Sequence, residues 1–350
     1  MENKSLYKFI IGLGVTCFLF LALMFTINYY NTYYAENTSF NEEKIYLYIP
    51  TGSGLDNLKK QIFPLLKDSS TFFDAAYKKK YILNIKAGKY EIKKGFSNKE
   101  ILNSLKFNNV PVKVTFNNVE RLENLASRIS KYIEADSLSL MNSFNEKLFL
   151  NTNNLNSESV FAIFLPNTYE FYWNTSADQF RDKMLYQYNL YWNNLRKQKA
   201  RSLNLSPVEV SVLASIVQRE TPKVDERPTI SGVYFNRLKK RMKLQADPTV
   251  VYTIKEKKGF DKKIRRVLYR DLKIKSPYNT YINRGLPPGP IYMPDFSSIE
   301  SVLEMETHEY LFFVADVKRP GYHIFAKTYR QHNKNKRQYT NWLKKNNIRR

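Results

Sequence analysis

Hydrophobic and polar positions divide the chain into stretches of different period. Residues 9–27 are almost unbroken apolar, and no charge occurs from Phe9 to Tyr34. A run of that length matches the roughly 20 residues that cross a bilayer as a helix. A polar linker is expected at 37–43, then a strand at 45–49 that Pro50 ends. Thr51-Gly52-Ser53-Gly54 reads as a turn opening a helix to about Leu66, followed by a second helix over about 70–81. Gly88-Lys89-Tyr90-Glu91-Ile92 predicts another strand. Ser97 with Glu100 is a capping box for a helix through Leu105, and 110–116 alternates as a strand does. The Asn-rich segment 117–155 has Leu122, Leu125, Ile129 and Ile133 near a period of 3.6 and ends in the loop 151–154. One helix is predicted over about 176–199, with Phe180, Met184, Tyr188 and Tyr191 on one face, and two strands at 310–315 and 322–325. The pattern as a whole is α+β behind a single N-terminal apolar helix.

The stretch 206–253 carries the chemistry. Ser206-Pro207-Val208-Glu209 is a capping box with proline at the first helical position. The run Val210 to Val217 is too apolar for a surface helix, and Thr221-Pro222 stops it just after Gln218-Arg219-Glu220. Glu220 therefore stands where a buried helix meets a loop. Partial loss of solvent there would raise its pKa toward the value a general acid needs. On spacing alone, the same residue fits a solvated glutamate paired with Arg219 or Arg227.

Further blocks resolve that ambiguity. These are Leu165-Pro166-Asn167-Thr168-Tyr169-Glu170-Phe171, Ala214-Ser215-Ile216-Val217 running into Glu220-Thr221, and Met242-Lys243-Leu244-Gln245-Ala246-Asp247-Pro248-Thr249. They continue with Ser276-Pro277-Tyr278-Asn279-Thr280-Tyr281, Gly285-Leu286-Pro287-Pro288-Gly289-Pro290, and Tyr310-Leu311-Phe312-Phe313-Val314-Ala315. In this order, over most of 155–343, they resemble the MltG (YceG-like) family of endolytic murein transglycosylases. The resemblance implies a YceG-like α+β catalytic domain at 156–346. A small α+β unit at 43–116 resembles the LysM-like domain of the same family, and the helical segment 117–155 would connect the two. The LysM-like unit would either hold glycan along an aromatic groove or space the catalytic part from the membrane.

Composition narrows the setting. The 350 residues carry 56 Lys and Arg against 32 Asp and Glu, a net charge of +24. That balance suits anionic lipid or wall polymers as well as nucleic acid. The N-terminus decides between them. Lys4 and Lys8 precede the apolar run and Tyr29, Tyr30, Tyr33 and Tyr34 follow it, which orients an anchor within residues 1–36, spanning about 9–30, with its N-terminus in the cytoplasm. A cleaved signal peptide is the competing reading, but no small-x-small site follows the run. The remainder is then expected outside the cytoplasmic face of the plasma (inner) membrane, on the periplasmic side, away from nucleic acid. Cys17, the single cysteine, lies inside the apolar run, and His308, His323 and His332 show no metal-ligand spacing. No cofactor is indicated.

By the resemblance, Glu220 is the catalytic acid and base of a non-hydrolytic cleavage between MurNAc and GlcNAc that leaves 1,6-anhydroMurNAc. Gln218, where some family members have another acid, implies that Glu220 acts alone. Gln245 and Asp247 would bind sugar hydroxyls or N-acetyl groups, and Asn236, Asn279 and Tyr281 would bind or orient substrate. Asp247-Pro248 also reads as a helix N-cap and N1 pair. Ser297 and Glu300 read as another capping box, and His332 would touch glycan or anchor the C-terminal helix. The basic residues from Lys255 to Arg266 read as a solvated loop, and the basic tail from Lys344 to Arg350 is unreadable. Nascent peptidoglycan strands are the expected partner, with wall synthases beside them. A hydrolytic muramidase using Asp247 as base, and a non-catalytic peptidoglycan-binding scaffold, are the alternatives.

Overall fold

The computed structural model describes residues 2–347, so Met1 and the last part of the basic tail, Ile348, Arg349 and Arg350, lie outside the described residues, as do the side chains of residues 2–5, Lys4 among them. The chain forms α1 (Glu2–Tyr33), β1 (Lys44–Ile49), α2 (Leu55–Ile62), α3 (Ser69–Lys78), β2 (Gly88–Lys93), α4 (Asn98–Phe107) and β3 (Pro111–Phe116). Then come α5 (Leu122–Ile129), α6 (Ser137–Phe144), α7 (Lys147–Thr152), β4 (Asn167–Tyr172), α8 (Ala177–Tyr191) and α9 (Asn194–Ser202). The last third is α10 (Pro207–Glu220), α11 (Arg227–Lys239), α12 (Asp247–Lys258), α13 (Phe296–Leu303), β5 (Phe312–Ala315), β6 (His323–Ala326) and α14 (Tyr329–Lys345). Two compact units result. The smaller holds residues up to Lys113 with 132–134 and 170–175, and the larger holds the rest, including most of 117–155.

In the smaller unit β1 and β2 pair antiparallel, Ile45 opposite Ile92 and Leu47 opposite Tyr90. Alternation puts Leu47, Ile49, Tyr90 and Ile92 inward, onto Leu58 of α2, Phe72 of α3 and Ile101 and Leu105 of α4. Each such side chain stabilises the unit by about 1.5–3 kcal/mol relative to exposure. The Ser97–Glu100 capping box forms as the sequence predicts. Residues 37–43, expected as a linker, do not all behave as one. Asn37 is buried, its amide donates to Asn98 Oδ1 (2.6 Å) and the Asp68 carbonyl (2.7 Å), and its N–H donates to the Phe96 carbonyl (2.9 Å). The last turn of α1 is held in the same way, the Asn98 amide donating to the Thr32 carbonyl (2.9 Å). Upstream, 6–33 is apolar and long enough to cross a membrane.

In the larger unit α10 is the central helix. Every residue from Val210 to Val217 is buried, and α11, α12 and α13 pack around it. The single helix expected over 176–199 is two. Trp192 leaves helical geometry and Asn193 caps α9 by accepting from Arg196 N–H (3.0 Å). The Ser297–Glu300 capping box is also corrected. Asp295 caps α13 through Ser298 N–H (2.7 Å), while Glu300 pairs with Arg196 (2.6 Å). β5 and β6 form an antiparallel ribbon, Phe313 opposite Phe325, and α14 packs against it.

Candidate active site

Local sequence places Glu220. The Ser206–Glu209 box starts α10, the apolar run buries it, and Thr221, in extended geometry before Pro222, ends it at Glu220. Glu220 is half-buried and lines a cleft of about 240 Å³ with Glu120, Asp247, Tyr252 and Ile291. Tyr234, on α11 and almost fully buried, donates its hydroxyl to Glu220 Oε1 at 2.5 Å. Burial pushes the Glu220 carboxyl up to about 7. The Tyr234 hydrogen bond pulls it back, Asp247 pushes it further up, and His323 and Arg237 lower it. Neither Arg219 nor Arg227 pairs with it. Arg227 binds Asp295 (3.0 Å) and Arg219 stacks over the Tyr292 ring at 4.9 Å.

Asp247 and Tyr281 come together beside Glu220. Tyr281 donates its hydroxyl to Asp247 Oδ1 at 2.6 Å, and burial, reinforced by Asp247, holds its phenol protonated. The helix cap is not Asp247 but Ala246. Asp247 is the first residue of α12 with Pro248 second, so its carboxylate is free to face Tyr281. Gln245 is exposed with a left-handed backbone (φ 52°), its N–H held by the Thr280 carbonyl at 3.2 Å. That conformation is costly for a non-glycine residue and turns the chain into α12.

Two expected substrate contacts have other tasks. Asn236 donates both amide hydrogens to main chain, to the His308 carbonyl (2.7 Å) and the Tyr310 carbonyl (3.1 Å). Asn279 is fully buried, donating to the carbonyls of Leu272 (3.1 Å) and Ile274 (2.8 Å) and accepting from Tyr281 N–H (2.9 Å). It shapes the loop that presents Tyr281 and has no donor left for sugar. Gln218 points away from the cleft, accepting from Asp295 N–H (2.7 Å) at the start of α13. His332 stacks on Phe312 with ring centroids 5.2 Å apart, in the manner of an anchor for α14.

Sequence reasoning missed Tyr234, Arg237 and the pair Glu226–His323. Buried Arg237 donates to the carbonyls of Leu311 and Leu244, both at 2.6 Å. Its signal was present: Ile230, Val233, Tyr234 and Arg237 share one helical stripe, and a cation on an apolar stripe is uncommon without purpose. Glu226 is buried and holds His323 through the main-chain N–H (2.6 Å) and Nδ1 (2.9 Å). Chemically the site offers one carboxyl poised near neutrality, a phenol that orients it and two further carboxylates, Asp247 and Glu120, on the same cleft.

Residues 47–338 match the profile of the YceG-like family. An endolytic murein transglycosylase of Bacillus subtilis is 39% identical over 175 residues, 50% of this chain and 46% of that protein. One from Streptococcus pneumoniae R6 is 33% identical over 180 residues, 50% of this chain and 31% of its own length. The chain thus aligns with less than half the length of these curated relatives. The crystal structure of a yceG-like protein from Listeria monocytogenes superposes with a TM-score of 0.54 at 27% identity, over 84% of this chain and 99% of that one.

Proposed function

The chain belongs to the YceG-like family, and from that we propose that it is an endolytic murein transglycosylase, cutting MurNAc–GlcNAc β-1,4 bonds without water. The observation that carries the reading is Glu220, a carboxyl at the end of a buried helix, opening on a cleft and oriented by Tyr234. Burial pushes this carboxyl up to about 7, so it can hold a proton near neutral pH. The acid gives its proton to the glycosidic oxygen as the bond to C1 breaks. The C6 hydroxyl of the same MurNAc closes onto C1 and returns its proton to Glu220, so the ring closes and the enzyme is restored. Asp247, Tyr281 and Gln245 are the proposed substrate contacts. α1 is the proposed anchor, uncleaved, in the plasma membrane with the enzyme outside. That position would restrict it to newly made strands, limit their length and bring it beside wall synthases. In the smaller unit, half-exposed Tyr46 and Tyr48 on β1, with Lys89 Nζ 4.0 Å from the Tyr46 ring centre, are the proposed glycan hold of the LysM-like reading.

A hydrolytic reading has one observation in its favour, since Asp247 lines the cleft with Glu220 and could activate water. Mass spectrometry of the ends made by the full-length protein in detergent separates the two. Anhydro ends support the proposal, reducing ends replace it by hydrolysis, and retained binding with no cut supports a scaffold.

The pH profile gives a second check. A general acid at about 7 makes activity fall as pH rises through that value. Tyr234→Phe removes a hydrogen bond that favours the carboxylate, so the falling limb moves to higher pH. Asp247→Asn removes a repelling charge, so the limb moves to lower pH. Shifts of the same sign would sink this electrostatic account.

A further inference from the structure

A second cavity, about 570 Å³, opens beside the cleft, and Glu120 and Tyr252 line both. Its size falls in the range of about 300–1,000 Å³ usual for small-ligand sites. One wall is aromatic. Tyr252 lies 4.6 Å from Tyr278 and 5.3 Å from Phe260 between ring centroids, and the Arg121 guanidinium sits 4.5 Å over the face of Phe260. The rim is polar. Arg121 pairs with Glu123, the two Glu120 oxygens take Lys255 at 2.9 and 2.7 Å, and the exposed Glu158 completes it.

We infer that this cavity is a further saccharide subsite, holding a sugar of the strand beyond the unit at Glu220. The inference rests on the glycan-cleaving reading of the cleft. A pyranose has an apolar C–H face and a ring of hydroxyls at its edge, and the aromatic wall with its carboxylate and guanidinium rim is complementary to both. Arg121, with five N–H donors in a fixed fork, suits vicinal oxygens. Because Tyr252 and Glu120 form the shared border, a continuous strand passes from the acid over Tyr252 toward Phe260. Binding energy gained there, away from the reacting bond, is available for orienting and distorting the sugar at Glu220. The enzyme therefore favours strands long enough to fill both cavities, which attack inside a chain requires.

The test compares uncrosslinked glycan oligomers of increasing length, with wild type, Phe260→Ala and Arg121→Ala as full-length proteins in detergent. Wild type gives a kcat/KM that climbs with length and then levels. Each variant loses about tenfold of the ratio between long and short oligomers, the size of one lost aromatic or guanidinium contact. Affinity for long oligomers, measured in the Glu220→Gln background without turnover, falls alongside. Unchanged melting temperatures keep misfolding out of the comparison, and a Phe260→Tyr protein that restores the ratio completes the case. A length ratio and an affinity that neither variant alters overturn the subsite. Wild type that neither cuts nor binds glycan overturns the reading beneath it as well.

Discussion

Glu220→Gln at pH 7.5 should give a folded protein that binds glycan, cuts about 10²–10⁴-fold more slowly or not at all, and melts higher than wild type. The loss of rate follows from removing the general acid. The gain in stability follows from linkage. Burial holds the Glu220 carboxyl at about 7 against an ordinary value of 4.5. A carboxyl raised in the folded state is harmless below the unfolded pKa, and folding loses stability as pH rises from there through about 7. Glutamine stays neutral throughout, so the variant and wild type melt together in acid and separate between about 4.5 and 7. Above 7 the gap is constant, at most about 3 kcal/mol, or several degrees for a unit of this size. The Tyr234 hydroxyl can still donate to the glutamine oxygen, which keeps the geometry. Melting curves that coincide from pH 4 to 9 would show that the carboxyl is not buried in the way described.

Gly289→Ala should be the most damaging small substitution in the larger unit. A Cβ at Gly289 would lie 2.1 Å from the Glu158 carbonyl oxygen and 2.6 Å from its carbon, so it meets main chain and not the far end of a flexible side chain. Pro288 and Pro290 fix the neighbouring φ angles, so local relief is closed off. The strain passes to Ile291, whose N–H donates to Ser215 Oγ at 3.1 Å on α10, and Ser215 is in the buried run that ends in Glu220. We expect a loss of about 3 kcal/mol or more, a melting point lower by about 10 °C, and activity lost with it. Gly285→Ala is the internal comparison. Its backbone is left-handed (φ 83°) but nothing lies within 4 Å, so only conformational strain of about 1 kcal/mol is expected. Equal melting of the two variants would refute the clash.

Why some of this was readable and some not follows from distance along the chain. Caps at Ser97 and Ser206 satisfy donors three residues away, so their signals are local. At Glu220 a buried run, a stop and a carboxyl coincide within one helix, which marked the residue as a candidate, while its assignment as acid came from the family resemblance. Asn236 and Asn279 misled because an amide that brackets carbonyls has the same sequence signature as one that binds sugar. The Asn236 partners are 72 and 74 residues away. Tyr234 shares an apolar stripe with core residues and differs only in where its hydroxyl ends. Glu226 and His323 are 97 residues apart and meet only after folding. The break at Trp192–Asn193 was legible in principle, since asparagine is a strong cap, but the aromatic stripe ran through it without interruption.

Asn37, stitched by five hydrogen bonds to Phe96 and Asn98 on one side and Lys67 and Asp68 on the other, removes slack just where the apolar helix ends. With α1 in a bilayer, the smaller unit is therefore mounted and not leashed. Its stand-off from the lipid headgroups is set by those hydrogen bonds, like a bracket on a wall, and motion of the helix axis tilts the unit with it.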